Sequence, residues 1–180
     1  MTRRIALLRG VNVGGAKKVA MADLKAMVEA MGFSEVKTLL QSGNVVFRAG
    51  DEAEADLETL LEAETETRLG LKTRYLVRDA MQWRAIIDAN PFPEEAQAEP
   101  SRTLVTVGRA AMPGEALDAV RAVMLPHEKL EAVERQVYAY FGEGMGQSKA
   151  AEVLNRKAVK AVATGRNWNT VLKIGALLGV

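Results

Sequence analysis

Arg9, Asn12 and three glycines, Gly10, Gly14 and Gly15, fall within one short stretch, ALLRGVNVGG (6–15), just ahead of Lys17 and Lys18. Glycine N–H groups and lysines before a helix start are the materials of an anion-binding loop. The spacing excludes two such loops. The glycines run G-x-x-x-G-G, which fails the G-x-G-x-x-G dinucleotide fingerprint. The Gly10–Gly15 interval fits a Walker loop, but Ala16-Lys17-Lys18-Val19 follows and supplies no hydroxyl for Mg²⁺. A flexible connection that needs positive φ would use the same glycines. Arg9 ends an apolar run, where an arginine is normally paired or functional. An ion pair with a glutamate is the structural alternative.

Three further polar clusters recur along the chain. QSGNVVF (41–47) puts Gln41, Ser42 and Asn44 on a tight turn, where Ser and Asn are also ordinary turn formers. Ser42 does not stand in a G-x-S-x-G elbow. GMGQSK (144–149) ends on Ser148 and Lys149 at a helix start, where Ser148 reads as an N-cap and Lys149 adds charge beside the helix N–H groups. RNWNT (166–170) gathers Arg166, Asn167, Trp168, Asn169 and Thr170 at another helix start. It reads either as a cap with a core tryptophan or as a recognition cluster of polar groups around one aromatic. If a reaction occurs, Ser42 or Lys149 is the candidate reacting group. His127 is the only histidine and there is no cysteine. No metal site is expected, and no cysteine chemistry of any kind.

These residues need elements to hold them. At 180 residues and 48% hydrophobic, the chain has enough apolar material for a core. RIALLR (4–9) reads as a buried strand. Met21, Leu24, Met27, Val28 and Met31 follow helical spacing, closed by Gly32. KTLLQ (37–41) and VVF (45–47) read as a hairpin around SGN. Residues 52–69 read as an acidic helix burying Leu57, Leu60, Leu61 and Leu69. LKTRYLV (71–77) is the next strand, and 79–89 a helix with Met81, Trp83, Ile86 and Ile87 inward. The order β-α-β-β-α-β is ferredoxin-like. NPFPEEAQAEP (90–100), with three prolines, reads as a connector or long loop.

The second half nearly repeats this order. TLVTVG (103–108) is a strand and 114–124 a helix. KLEAV (129–133) and QVYAYF (136–141) form a hairpin around Glu134 and Arg135, and 149–162 is a helix. The closing strand is expected to be missing, with the last helix opening at RNWNT. Trp168, Val171, Leu172 and Gly175 share its spacing. The expected fold is α+β: two ferredoxin-like halves, antiparallel sheets with helices packed on them, and an extra C-terminal helix. The expected domains are 1–89 and 101–180, joined by 90–100.

Charge is uneven although the net is +1. Residues 1–48 carry eight Lys/Arg against three Asp/Glu, and 145–180 carry six against one. Residues 49–69 carry one against eight, which reads as a solvated helix face. Basic ends that meet in space would attract an anion. The opening apolar run is too short for a signal peptide, and no stretch approaches a membrane span. The expected setting is the cytoplasm, with no membrane.

Several strings stand together: ALLRGVNVGG, QSGNVVF, NPFP, VYAYFGEGMGQSK and GRNWNTVLK. In combination, and essentially end to end, the chain resembles the bacterial domain of unknown function 1697 family. The resemblance implies two ferredoxin-like halves and carries no established activity or cofactor. It places the family's polar signatures on Arg9, Asn12, Gly14, Gly15, Lys18, Gln41, Ser42, Asn44, Ser148, Lys149 and all five residues of RNWNT. Relatives usually have proline at Ala20 and often a basic residue at Gln147. The first departure loosens helix entry; the second removes a positive charge.

The leading expectation is a small anionic ligand, phosphate- or nucleotide-like, held where these motifs converge. Arg9, Lys18, Lys149 and Arg166 would supply charge. Asn12, Gln41, Asn44 and Asn169 would supply orientation. One alternative is a nucleic-acid-binding module using the basic ends, with Tyr138 and Tyr140 on one strand face as a stacking surface. Another is a protein–protein adaptor whose polar strings are caps and buried networks.

Overall fold

Among the described residues, eight strands and seven α-helices follow one another in the order β1(Thr2–Leu8), α1(Met21–Ala30), β2(Ser34–Leu39), β3(Asn44–Ala49), α2(Glu54–Leu69), β4(Tyr75–Asp79), α3(Ala80–Asp88), α4(Pro93–Ala98), β5(Thr103–Gly108), α5(Gly114–Arg121), β6(Lys129–Val133), β7(Gln136–Tyr140), α6(Lys149–Lys160), β8(Ala163–Asn167) and α7(Trp168–Leu178). The computed structural model of the chain describes residues 1–12 and 18–180. The strands make two antiparallel sheets, β2-β3-β1-β4 and β6-β7-β5-β8. Each is the ferredoxin-like order, so the expected α+β architecture of two such halves holds.

The chain divides into two compact units, Met1–Arg84 with Ile174–Val180, and Ala85–Lys173. The division falls inside α3 and inside α7.

In the first unit, Leu24, Met27 and Val28 of α1 and Leu57 and Leu61 of α2 pack on Ala6, Leu8, Val45, Phe47 and Tyr75 of the sheet. Burying one such side chain is worth about 1.5–3 kcal/mol. Leu60 and Met81 were expected inward, yet both are exposed. Leu57 and Leu61 already fill the α2 stripe, and Leu60 falls to one side of it. In α3 the apolar stripe is carried by Trp83 and Ile86.

The acidic helix is more than a solvated face. Glu54, Glu58 and Glu62 form an i, i+4, i+8 row on α2. Glu58 Oε1 accepts the Val77 N–H (2.9 Å) and Glu62 Oε1 the Tyr75 N–H (3.1 Å). β4 ends its sheet, and these N–H groups have no strand beyond them. The carboxylates satisfy them and cover the edge. β4 itself begins at Tyr75 rather than Leu71, and continues to Asp79.

In the second unit, Leu117 and Val120 of α5 and Val153, Leu154 and Ala158 of α6 pack on Val137, Ala139 and Ala163. Two expectations are corrected here. The closing strand exists: β8 pairs with β5 from Leu104↔Asn167 to Gly108↔Ala163. ATGRN has little strand propensity, but pairing with the central strand overrides it. Consequently the last helix opens at Trp168, not Arg166, and Leu172 on it is exposed. The 90–100 segment is not all loop: Pro93 opens α4 at the first helical position, where a missing N–H costs nothing.

Among the described residues, no helix is long and apolar enough to cross a membrane.

Candidate functional site

The anticipated site residues divide between the units. Arg9, Asn12, Lys18, Gln41, Ser42 and Asn44 belong to the first; Ser148, Lys149 and Arg166–Thr170 belong to the second. Gly14 and Gly15 lie outside the described residues, as does Lys17.

At the exit of β1, Leu8 N–H donates to Gly43 O (2.8 Å) and Arg9 N–H to Arg74 O (3.0 Å). Arg9 O accepts from Thr73 Oγ1 (3.0 Å). Arg9 is half-buried there. Asn12, at φ +54°, turns the chain back. Its Nδ2 donates to Val19 O (3.0 Å) and Gln41 O (2.8 Å), and its Oδ1 accepts from Val19 N–H (3.0 Å). One carboxamide thus clips the segment leaving β1 to the segment entering α1, and ties both to the β2–β3 turn. Lys18, next to the clipped Val19, is exposed, as is Gln41.

The turn is built sterically. Gly43 has φ +76°, and a Cβ there would lie 2.8 Å from Leu8 Cβ and 2.9 Å from Val11 Cγ2. Asn44 is fully buried, and its Nδ2 donates to Leu39 O (2.7 Å) and Ser42 Oγ (3.0 Å). Asn44 therefore holds the turn, and Ser42 stands half-buried beside it.

In the second unit Ser148 is the N-cap of α6, its side chain accepting from Ala151 N–H (3.0 Å). Lys149 is exposed at the helix start. Asn167 Oδ1 accepts from Thr170 N–H and Thr170 Oγ1, both at 3.0 Å, and so caps α7. Arg166 is buried in β8, donating from Nη1 to Thr164 Oγ1 (3.0 Å) and Gly165 O (2.8 Å). Burial pushes its pKa down to about 10, because the charged guanidinium is taken out of water. Trp168 is buried, its backbone N–H donating to Pro100 O (3.1 Å), while Asn169 is exposed.

Beside Trp168 and Asn169 a pocket of about 420 Å³ opens, lined also by Ile87, Asp88, Asn90, Pro93, Ala96, Gln97, Pro100 and Leu172. Asp88, Asn90 and Gln97 went unnoticed in the sequence. Their signal lay in NPFP, where Asn90 precedes a proline pair that opens α4.

Tyr138 is not a stacking surface. It is buried, its hydroxyl donating to Ile86 O (2.7 Å), and its pKa is pushed up to about 12 by burial. Tyr140, half-buried, bonds Glu99. Among the described residues no group of three or more His, Asp or Glu is arranged to hold a metal. His127 is exposed, its Nε2 4.0 Å from Glu143 Oε1.

The model of a family described as protein of unknown function (DUF1697) matches residues 1–138. Among solved structures, a conserved bacterial protein from Streptococcus pneumoniae is similar at 23% identity, with 98% of each chain covered and a TM-score of 0.77. That likeness concerns the fold. No functionally curated protein matches the sequence significantly.

Proposed function

The chain belongs to the DUF1697 family, and from that premise, which carries no activity, we propose that it binds a small anionic ligand of phosphate or nucleotide kind at the edge of the first unit. The observation that carries this reading is the Asn12 clip. By bonding Val19 and Gln41 together, it joins the end of β1, the entry to α1 and the 41–44 turn. Arg9 precedes Asn12 by three residues and Lys18 precedes the clipped Val19, so two cations adjoin the clipped residues in the chain. Lys18 is exposed and Arg9 half-buried, where attraction to an anion exceeds its value in bulk water. Gln41 and Ser42 supply directed polar groups from the turn that the clip bonds. Asn12 and Asn44 are framework in this reading, since their amides are committed to backbone and turn. The reading is one of binding and assigns no reaction.

The test is titration of the full chain with inorganic phosphate, pyrophosphate and AMP, read by thermal shift and calorimetry. Saturable stabilisation that weakens with salt is expected, and Lys18→Ala should reduce affinity about tenfold without changing the unliganded melting point. Equal binding by Lys18→Ala, or none by the parent chain, refutes it. Oligonucleotide binding with a steep salt dependence would support the nucleic-acid reading instead.

A further inference from the structure

The second unit's pocket has a different chemistry from the basic edge of the first. Its lining comes from the last turn of α3, from α4 and from the opening of α7, all between Ile87 and Leu172. Among the described residues its lining holds one ionisable side chain, Asp88, and otherwise carboxamides and apolar carbon.

Three carboxamides, Asn90, Gln97 and Asn169, share the lining with Trp168 and with aliphatic carbon from Ile87, Ala96 and Leu172. Asn90 is the informative one. Its Oδ1 is taken by the Phe92 N–H at 2.9 Å, which fixes the orientation of the amide. Its Nδ2 is buried and has no hydrogen-bond partner among the described residues. A buried N–H left unpaired is costly, and native structures rarely keep one without a use. The same lining offers groups of the fork type, carboxamides that can give and take in one plane, and a carboxylate that only takes.

The volume, about 420 Å³, suits a molecule of one or two rings. An aromatic wall with amide forks is the arrangement by which proteins hold a flat ring and read its polar edge.

We infer that this pocket binds an uncharged planar nitrogen heterocycle, a free nucleobase or nucleoside, with a ring acceptor on Asn90 Nδ2, ring donors toward Asp88, and the ring against Trp168. The inference is independent of the anion reading: it uses another unit, other residues and a ligand without phosphate.

The experiment titrates the full chain with adenosine, guanosine, cytidine and uridine, following tryptophan emission and confirming by calorimetry. Ribose and inorganic phosphate are the controls. At least one nucleoside should quench saturably, with an affinity that raised salt leaves unchanged. Ribose and phosphate should leave the tryptophan signal untouched. Asn90→Asp keeps the acceptor for Phe92 N–H and replaces the donor, so it should fold normally and bind at least about tenfold more weakly. Asn169→Ala, at an exposed position, should weaken binding severalfold with no change in melting point. The inference is overturned by absence of saturable binding for all four nucleosides up to about 5 mM, or by unaltered binding in both variants. Sedimentation showing self-association that Leu172→Glu abolishes would also overturn it, giving the pocket to a second copy of the chain.

Discussion

The two units place a buried arginine and a helix cap at matching strand positions, and they differ in the partners those arginines meet. β1 in the first and β5 in the second are the central strands, flanked in one order by β3 and β4 and in the other by β7 and β8. Ile5 pairs with Arg78, and Val105 pairs with Arg166. Both arginines are buried, and both donate Nη1 to the carbonyl of the preceding residue, Val77 O at 2.6 Å and Gly165 O at 2.8 Å. The next residue caps the following helix in each: Asp79 Oδ1 takes Gln82 N–H, and Asn167 Oδ1 takes Thr170 N–H. RNWNT thus has a structural twin in RDAMQ (78–82). Its arginine and asparagine are part of a repeated frame before they are part of any site.

The difference lies in the other acceptor. Arg78 Nη1 reaches the Glu54 carboxylate at 3.1 Å, while Arg166 Nη1 reaches a hydroxyl, Thr164 Oγ1. Arg78 is paired with an acidic helix; the matching helix of the second unit, α6, carries Lys149, Arg156, Lys157 and Lys160 against Glu152. The backbone frame is shared, and the charge on the helix beside it differs.

A steric exchange makes the same point. Leu8 N–H donates to Gly43 O, and Gly108 N–H donates to Arg135 O. Each crossing of strand end and hairpin turn holds one glycine, on the turn in the first unit and on the strand in the second. A Cβ on Gly108 would lie 2.6 Å from Ala110 O. The first crossing leaves no room for a second side chain beside Leu8, and the second leaves no room for a Cβ beside backbone oxygen.

The largest expected effect tests that crossing. Gly43→Ala adds a clash to a positive φ and should cost about 3–4 kcal/mol in chemical denaturation. Gly108→Ala meets backbone oxygen without the φ penalty and should cost less. Equal, small losses would dissolve the comparison. Next, Glu54→Ala strands the buried Arg78 and should cost about 3 kcal/mol. Thr164→Val removes a neutral partner of Arg166 and should cost about 1 kcal/mol. A reversed ranking would place the neutralisation in the wrong unit.

The third sharpens the contrast with pH. Tyr75 occupies the β4 position that Ala163 occupies on β8. Burial pushes its phenol up to about 12, and a hydrogen bond shared with Thr65 works the other way. The folded state therefore holds this proton more tightly than the unfolded chain. The stability it contributes is intact below about pH 10 and is lost as pH rises toward 12, by about 2 kcal/mol. Tyr75→Phe should flatten that part of the alkaline limb of a denaturation–pH profile, leaving the share due to Tyr138. Smallest are the twin caps: Asp79→Ala and Asn167→Ala should each cost about 1 kcal/mol, and similar values would confirm their equivalence.

Element order was legible because it rests on periodicity, and Leu24, Met27, Val28 or Val105 and Val107 announce their faces. β8 was not legible, because Ala163, Gly165 and Asn167 become strand only through their pairing with β5. α4 was hidden by prolines that read as breakers until Pro93 is placed at the helix start. Among the polar motifs the caps were legible: Ser148 reads as an N-cap, and a cap was one reading of RNWNT, because each bonds a backbone N–H three residues on. Asn12 was not legible, because its partners Val19 and Gln41 lie in segments that no local spacing joins to it. The row Glu54, Glu58, Glu62 was readable as an i, i+4, i+8 stripe, but its targets, the edge N–H groups of β4, belong to another element. The Asn90 pocket had no signature beyond a proline-rich string.

The central claim is that one frame, repeated, carries two different ligand sites. Amide chemical-shift mapping of the full chain tests it most directly, with inorganic phosphate and each of the four nucleosides titrated separately. Phosphate should move the signals of residues 9–12, 18–19 and 41–44, and at least one nucleoside those of 88–100 and 168–172. Overlapping maps, or no saturable shifts in either region, would contradict the account.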